Sequence, residues 1–279
     1  MTGPLPRPRT PEGRAGLAAL LREPARALIA LDFDGTLSPI VADPGAARAH
    51  PGAAAALRRL GTITGTLAVI TGRPAAVAVE LGGFADVPGL IVLGHYGWER
   101  WHDGKLSSPP SPPGVTAARA ELPAVLAGAG APPGTWTEDK GNAVAVHTRR
   151  AADPQGALEA LRGPLTALAT RTGLTVEPGR LVIELRPHGT DKGIALKALI
   201  TERSPHSVMF CGDDLGDVPA FGVVRALRAS SGIPGLTVCS GSAETAAELT
   251  AAADLVVDGP DGVIALLDGL ADAITGSGP

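Results

Sequence analysis

Two aspartates separated by a single residue, in Leu31-Asp32-Phe33-Asp34-Gly35-Thr36-Leu37, directly follow the apolar run Ala27 to Leu31. At a strand end that spacing projects both carboxylates to the same side, and glycine followed by threonine lets the chain turn sharply around an anion. One such carboxylate can attack phosphorus, while its neighbour two positions on gives a proton to the leaving oxygen and later takes one from water. A capping acid in an ordinary turn is the bland alternative. A second polar strand end, Thr71-Gly72-Arg73-Pro74, follows Leu67 to Ile70; a hydroxyl and backbone amides just ahead of a helix suit a phosphate oxygen. Lys192-Gly193 opens a helix behind Thr190 and Asp191, where an ammonium neutralises phosphate as a point charge. In Gly212-Asp213-Asp214-Leu215-Gly216-Asp217 three carboxylates crowd together. Their repulsion is unfavourable unless a cation sits among them, and oxygen donors favour magnesium.

These residues need a scaffold that brings them to one place. The apolar runs Ala27 to Leu31, Leu67 to Ile70, Leu90 to Leu93 and Ser207 to Cys211 read as buried parallel strands. Between them, Pro51 to Leu60, Pro74 to Gly82, Lys192 to Glu202 and Val218 to Arg228 read as helices. The alternation predicts an α/β fold with a doubly wound, Rossmann-like parallel sheet, whose ligands bind beyond the carboxyl ends of the strands. Asp32, Thr71, Asp213 and Asp214 stand at those ends. After a proline-rich linker from Ser107 to Gly114 the pattern changes: Thr135 to Asp139 with Ala143 to Thr148, and Thr175 to Pro178 with Leu181 to Leu185, predict two β-hairpins. Residues 109–188 therefore read as an inserted α+β cap domain. Residues 25–108 and 189–279 form the core, residues 1–24 an N-terminal extension with a helix, and the chain closes with a strand at Leu255 to Val257 and a helix from Gly262 to Ile274.

Composition narrows the function classes. The 279 residues are 44% hydrophobic, enough for a sizeable core, and the 37 glycines and 26 prolines punctuate apolar segments rather than cluster. A net charge of −4 supplies no basic field for a nucleic acid or an anionic membrane. No stretch matches a membrane span or a signal peptide, which predicts a cytoplasmic protein. Cys211 and Cys239 read as small buried hydrophobes. Of 24 basic residues only Lys105, Lys140, Lys192 and Lys197 are lysines, so each lysine in this arginine-biased chain is worth locating.

In their order along the chain, the four motifs resemble the haloacid dehalogenase (HAD) superfamily of phosphotransferases over about residues 25–103 and 189–279. The resemblance implies Asp32 as the nucleophile that forms an aspartyl-phosphate and Asp34 as general acid and base. It implies that Thr71 and Lys192 hold the phosphoryl group. Mg2+ would be bound by the Asp32 carboxylate, the Asp34 backbone carbonyl and Asp213, with Asp214 and Asp217 ordering its water shell.

The insertion must choose the substrate. Strand alternation places Val144 and Val146 on one face and His147 and Arg149 on the other, pairs Glu138 with Lys140, and sets Arg180, Glu184 and Arg186 opposite Leu181, Ile183 and Leu185. Mixed acids and bases on one sheet face can bind sugar hydroxyls, or be no more than a solvated, salt-bridged surface. The pattern Glu138, Lys140, Gly141, His147, Arg149, then Gly179, Arg180, Glu184, Lys192, Gly193 resembles the cap of trehalose-6-phosphate phosphatases. That resemblance implies that Glu138, Lys140, Arg149, Arg180 and Glu184 grip the glucose ring farther from phosphorus under a closing cap, and that the enzyme is functionally coupled to a trehalose-6-phosphate synthase. Three positions depart from the family: Arg180 stands for lysine, Tyr96 for histidine, and Gly216-Asp217-Val218 for Thr-Asp-Glu. Another sugar phosphate, such as sucrose phosphate or a glycosyl phosphoglycerate, and a catalytically silent sugar-phosphate-binding regulator are the alternative readings.

Overall fold

The computed structural model describes residues 5–41, 43–179, 181–242 and 245–276. Two compact units divide the chain, one of Met1–Ser108 with Asp191–Pro279 and one of Pro109–Thr190. In chain order the first unit begins α1 (Pro11–Arg22), β1 (Ala27–Leu31), α2 (Ala53–Gly61), β2 (Thr66–Ile70), α3 (Ala75–Gly82), β3 (Leu90–Gly94), β4 (Glu99–His102) and β5 (Lys105–Ser107). The second unit holds α4 (Pro113–Gly128), β6 (Trp136–Asp139), β7 (Val144–His147), α5 (Pro154–Thr172), β8 (Leu174–Gly179) and β9 (Val182–Pro187). The first unit then resumes with α6 (Lys192–Arg203), β10 (Ser207–Gly212), α7 (Val218–Ser231), β11 (Gly235–Gly241), α8 (Ala247–Ala252), β12 (Leu255–Asp258) and α9 (Gly259–Gly276).

The eight-stranded sheet runs β12-β11-β10-β1-β2-β3-β4-β5. Pairing is parallel from β12 to β3, and the apolar runs are buried because helices cover both faces. On one face Ile29 and Leu31 pack with Leu57, Phe84 and Leu267; on the other Leu28 and Ala30 pack with Leu196, Phe221 and Leu249. The sheet is not wholly parallel, since β4 and β5 add an antiparallel edge. Ser107 lies in β5 and Pro113 opens α4, so the linker is shorter than its proline content predicts. β1 sits between β2 and β10, where the strand order reverses, the place at whose carboxyl ends sheets of this kind bind ligands. Cys211 and Cys239 are buried free thiols. Among the described residues no helix is long and apolar enough to cross a membrane.

The N-terminal helix belongs to this layer rather than extending from it: Leu20 is buried in the core, and a Cβ on Gly16 would lie 1.9 Å from the Gly235 carbonyl oxygen. Asp254 ties the start of α1 to α7 and β11. Its carboxylate accepts from Thr10 Oγ1 (2.5 Å), Thr237 N (2.8 Å) and Thr237 Oγ1 (2.9 Å), and pairs with Arg228. Burial alone would raise this carboxyl, but the bonds from Arg228, Thr10 and Thr237 outweigh it and hold it below the usual aspartate range. A depressed folded-state value stabilises the fold above the unfolded value and is lost as pH falls through the folded one. Asp254→Asn, which leaves Arg228 half-buried without its charge partner, is therefore expected to lose about 3 kcal/mol at pH 7 in urea unfolding. The difference from the parent protein should begin to shrink below about pH 4, the unfolded value, and disappear only as pH falls through the lower folded value, where the parent carboxyl is protonated too.

The second unit is a four-stranded antiparallel sheet, β6-β7-β9-β8, with both hairpins as the alternation predicts. Val144, Val146, Ile183 and Leu185 pack against Leu161, Leu165 and Leu168 of α5 and Val115 and Leu122 of α4. Leu181, expected on that inner face, instead takes φ +63 in the turn before β9. Arg149 lies exposed in a turn beyond the end of β7, so strand alternation does not apply to it. Arg180 lies outside the described residues.

Candidate active site

The site of the first unit grows from the ends of β1, β2 and β10. Asp32, 4% exposed, continues β1 with its amide donating to Cys211 O at 2.9 Å. Phe33 is buried edge-on against Phe84, which pins the residue between the two acids and leaves Asp32 and Asp34 to project alike. The turn that follows needs its glycine: Gly35 has φ +73, and a Cβ there would lie 1.9 Å from Asp213 Oδ2. Ser240 Oγ, buried on β11, donates to Gly35 O at 2.7 Å and holds this turn from the far side.

Lys192 is the first residue of α6, a helix capped by Asp191, whose side chain accepts from Ile194 N. The cap directs a buried ammonium between two carboxylates, 2.8 Å from Asp32 Oδ1 and 2.7 Å from Asp217 Oδ1. Thr71 is 1% exposed beside the same strand ends, and its Oγ1 accepts from Arg73 N at 3.1 Å. The guanidinium of Arg73, expected at the substrate, forks onto Asp34: Nε donates to Oδ2 at 2.7 Å and Nη2 to Oδ1 at 2.6 Å.

Asp32, Asp213 and Asp217 each offer a carboxylate oxygen within 4.8 Å of the others. Burial first, and then mutual repulsion, pushes each of these carboxyls up to about 7. Lys192 moves the other way: burial disfavours its charge, but Asp32, Asp217 and Asp214 more than compensate and raise it above the usual lysine value. Three ionised carboxylates against one ammonium leave an excess of two negative charges, which a divalent cation would match. Among the described residues Asp213 Oδ1 is buried with no hydrogen-bond partner, as expected of an oxygen facing a cation.

Asp217 and Asp214 occupy different places from those inferred from spacing. Asp217 is fully buried, with Oδ1 on Lys192 and Oδ2 accepting from the amides of Asp213 (2.9 Å) and Asp214 (3.1 Å). It therefore shapes the loop that presents Asp213. Asp214 is exposed, and its side chain caps the short turn Leu215–Asp217 by accepting from Gly216 N. Reciprocal capping between Asp214 and Asp217 was written in their three-residue spacing, a signal that the acid-cluster reading passed over. Ser240 carried no such signal.

The second unit presents its own polar face. Lys140 Nζ lies 2.5 Å from Glu184 Oε2, and His147 Nε2 lies 2.8 Å from Glu138 Oε2. His147 stacks on Trp136 with centroids 4.5 Å apart and planes 8° from parallel, while the Arg150 guanidinium lies 4.6 Å from the Trp136 centroid. Glu138 and Glu184 both stand opposite the small Ala145 of β7, which brings them to one face of the sheet.

Comparison with known proteins places this geometry among relatives. A sequence model described as trehalose-phosphatase matches residues 30–254. A trehalose-phosphate phosphatase of Mycobacterium tuberculosis is 38% identical over 222 residues, covering 75% of this chain and 53% of the relative. One of Mycobacterium marinum is 36% identical over 211 residues, covering 71% and 52%. A protein of Mycobacterium tuberculosis named an uncharacterized glycosyl hydrolase is 37% identical over 213 residues, 72% of this chain and 15% of that protein. The chain thus matches about half the length of the two phosphatases and a small part of the third protein. Among solved structures, the trehalose-6-phosphate phosphatase of Aspergillus fumigatus shares the fold with a TM-score of 0.69 at 24% identity, covering 96% of this chain and 100% of that one.

Proposed function

The chain belongs to the trehalose-phosphatase family, and from that membership we propose that it is a magnesium-dependent phosphatase that hydrolyses trehalose 6-phosphate to trehalose and phosphate. The observation that carries the chemistry is the buried Asp32–Lys192 contact at the end of β1, beside a buried Asp213 oxygen with no hydrogen-bond partner among the described residues. The Asp32 carboxylate stands at that strand end against the Lys192 ammonium, and a carboxylate so placed can act as a nucleophile for phosphorus.

In this reading a carboxylate oxygen of Asp32 attacks phosphorus as the bond to the sugar oxygen breaks, and Asp34 gives that oxygen its proton. Asp34 then takes a proton from the water that attacks the aspartyl-phosphate, which releases phosphate and restores Asp32. Lys192 and Thr71 hold phosphoryl oxygens throughout. The Asp32 carboxylate, the Asp34 main-chain carbonyl and Asp213 would hold Mg2+, with Asp214 and Asp217 behind them. Once bound, the ion supplies positive charge that offsets repulsion between nucleophile and substrate. Recognition of the sugar is assigned to Glu138, Lys140, Arg149, Arg180 and Glu184 of the second unit, where paired acids and bases accept from and donate to hydroxyls. A synthase of trehalose 6-phosphate would supply the substrate.

Steady-state phosphate release tests the reading with trehalose 6-phosphate, glucose 6-phosphate, sucrose 6-phosphate and a glucosyl phosphoglycerate, with magnesium and with EDTA. Trehalose 6-phosphate is expected to exceed glucose 6-phosphate in kcat/KM by on the order of 100-fold, because a site built for hydroxyls is left unpaired by the smaller sugar. EDTA should abolish turnover and added magnesium restore it. Equal use of the two sugars would remove the substrate assignment, and binding without release on any ester would favour the regulatory reading.

A further inference from the structure

We propose that Arg119 is a positioning residue that holds the loop carrying Lys140, and so sets the preference for a disaccharide phosphate over a monosaccharide phosphate. The proposal rests on the sugar-recognition reading above, and deepens it by adding a residue that touches no substrate but fixes one that does.

β6 is an edge strand of the four-stranded sheet, paired with β7, and Lys140 stands in the loop between them. A bond from Lys140 N to Ala143 O at 3.0 Å closes that loop. Its second half is anchored by burial, with Asn142 3% and Ala143 2% exposed. The first half has no such anchor, since Asp139 and Gly141 are exposed and Gly141 takes φ +78. Here one nitrogen of Arg119, from α4, brackets the lysine. Nη2 donates at 2.7 Å to Oδ1 of Asp139, the residue before Lys140, and at 3.2 Å to the carbonyl of Gly141, the residue after it. Asp139 Oδ1 also accepts from Gly141 N at 2.9 Å, and Ser111 Oγ donates to Gly141 O at 2.6 Å. Both neighbours of Lys140 are thereby tied to α4 and to the segment just before it.

Arginine–acid pairs on a surface ordinarily contribute little. Arg162 meets Glu159 within one turn of α5, and Arg171 joins α5 to Glu121 of α4. Arg119 differs from them in bonding the main chain of a loop in another element. Its Nε is buried with no hydrogen-bond partner among the described residues, an unfavourable placement that solubility does not account for. The lysine needs such a support, because an ammonium on a flexible four-carbon stem arrives where its backbone is held. Lys140 Nζ lies 2.5 Å from Glu184 Oε2, and an ammonium carries further donors for sugar hydroxyls. A loop shifted by about 1 Å would carry those donors away from the hydroxyls, and misplacement on that scale removes up to about 100-fold in rate.

The two sugar phosphates separate this role from general support of the fold, because glucose 6-phosphate lacks the second ring that Lys140 is read to grip. Arg119→Gln is expected to lower kcat/KM for trehalose 6-phosphate about 10-fold, mainly through KM, while glucose 6-phosphate changes less than about 2-fold. Arg119→Lys, which keeps a donor of the same charge, should recover part of the loss. In a Lys140→Met background the effect of Arg119→Gln should vanish. Ser111→Ala removes the other bond to Gly141 O, is expected to shift KM in the same direction by a smaller factor, and serves if the glutamine variant fails to fold. Equal losses on the two esters, or a selective loss that persists without the Lys140 ammonium, would overturn the proposal. A parent protein without preference for trehalose 6-phosphate, or a preference untouched by Lys140→Met, would instead overturn the sugar-recognition reading on which it rests.

Discussion

Asp32→Asn is expected to retain the fold and lose phosphatase turnover by on the order of 10⁴-fold or more, since an amide cannot form the covalent intermediate. The loss should appear in kcat for every phosphate ester, not only for the sugar phosphate. Folding is expected to survive because the amide keeps the shape of the carboxylate and removes a buried negative charge that Asp213 and Asp217 repel. Lys192 retains Asp217 as its partner at 2.7 Å. Thermal unfolding without added metal should therefore place the variant at or above the parent protein. Full turnover with unchanged substrate preference would refute the nucleophile assignment. A melting temperature well below the parent would show instead that the Asp32–Lys192 pair is needed for the fold.

Lys192→Met is expected to damage both stability and activity. It leaves two carboxylates, 5% and 0% exposed, without the cation between them. Removing one partner of a buried pair in this way is destabilising by about 3 to 5 kcal/mol. Turnover should fall by on the order of 10³-fold from loss of charge at the phosphoryl group. The two effects can be separated by adding Asp217→Asn. The double variant has one fewer unpaired charge and an apolar chain where the ammonium stood, so most of the stability should return while turnover stays low. If urea unfolding finds the double variant no more stable than Lys192→Met alone, the shared ammonium is not what stabilises this cluster.

Several elements were legible before any coordinates. Ala27 to Leu31 reads as a strand and forms β1 with every residue buried, because an uninterrupted apolar run suits a strand covered on both faces. The spacer Lys140 to Asn142 reads as a hairpin loop, and there Gly141 takes φ +78 while Asp139 Oδ1 accepts from its amide. The β4–β5 edge escaped because Glu-Arg-Trp-His buries only Trp101 and carries little apolar signal. β11 escaped for a related reason. Its Thr237, Cys239 and Ser240, bounded by Gly235 and Gly241, resemble a polar loop until neighbouring strands on both sides bury them.

The candidate site divides along similar lines. Asp32, Thr71, Lys192 and Asp213 could each be placed at a strand or helix end from their own flanking residues, since turn chemistry and apolar runs act over a few positions. The partner of each charge could not be so placed. Arg73 meets Asp34 across 39 positions because β1 and β2 are parallel neighbours whose carboxyl ends coincide. Lys192 reaches Asp32 across a still longer separation because β1 lies next to β10. By itself the sequence determined which local conformations form and which chemical groups stand at their ends. Only the tertiary structure decided that Asp217 rather than Asp214 is buried at the ammonium and that Arg73 holds the acid, because pair energies depend on through-space distance and desolvation, which the crossover connections set and spacing along the chain does not.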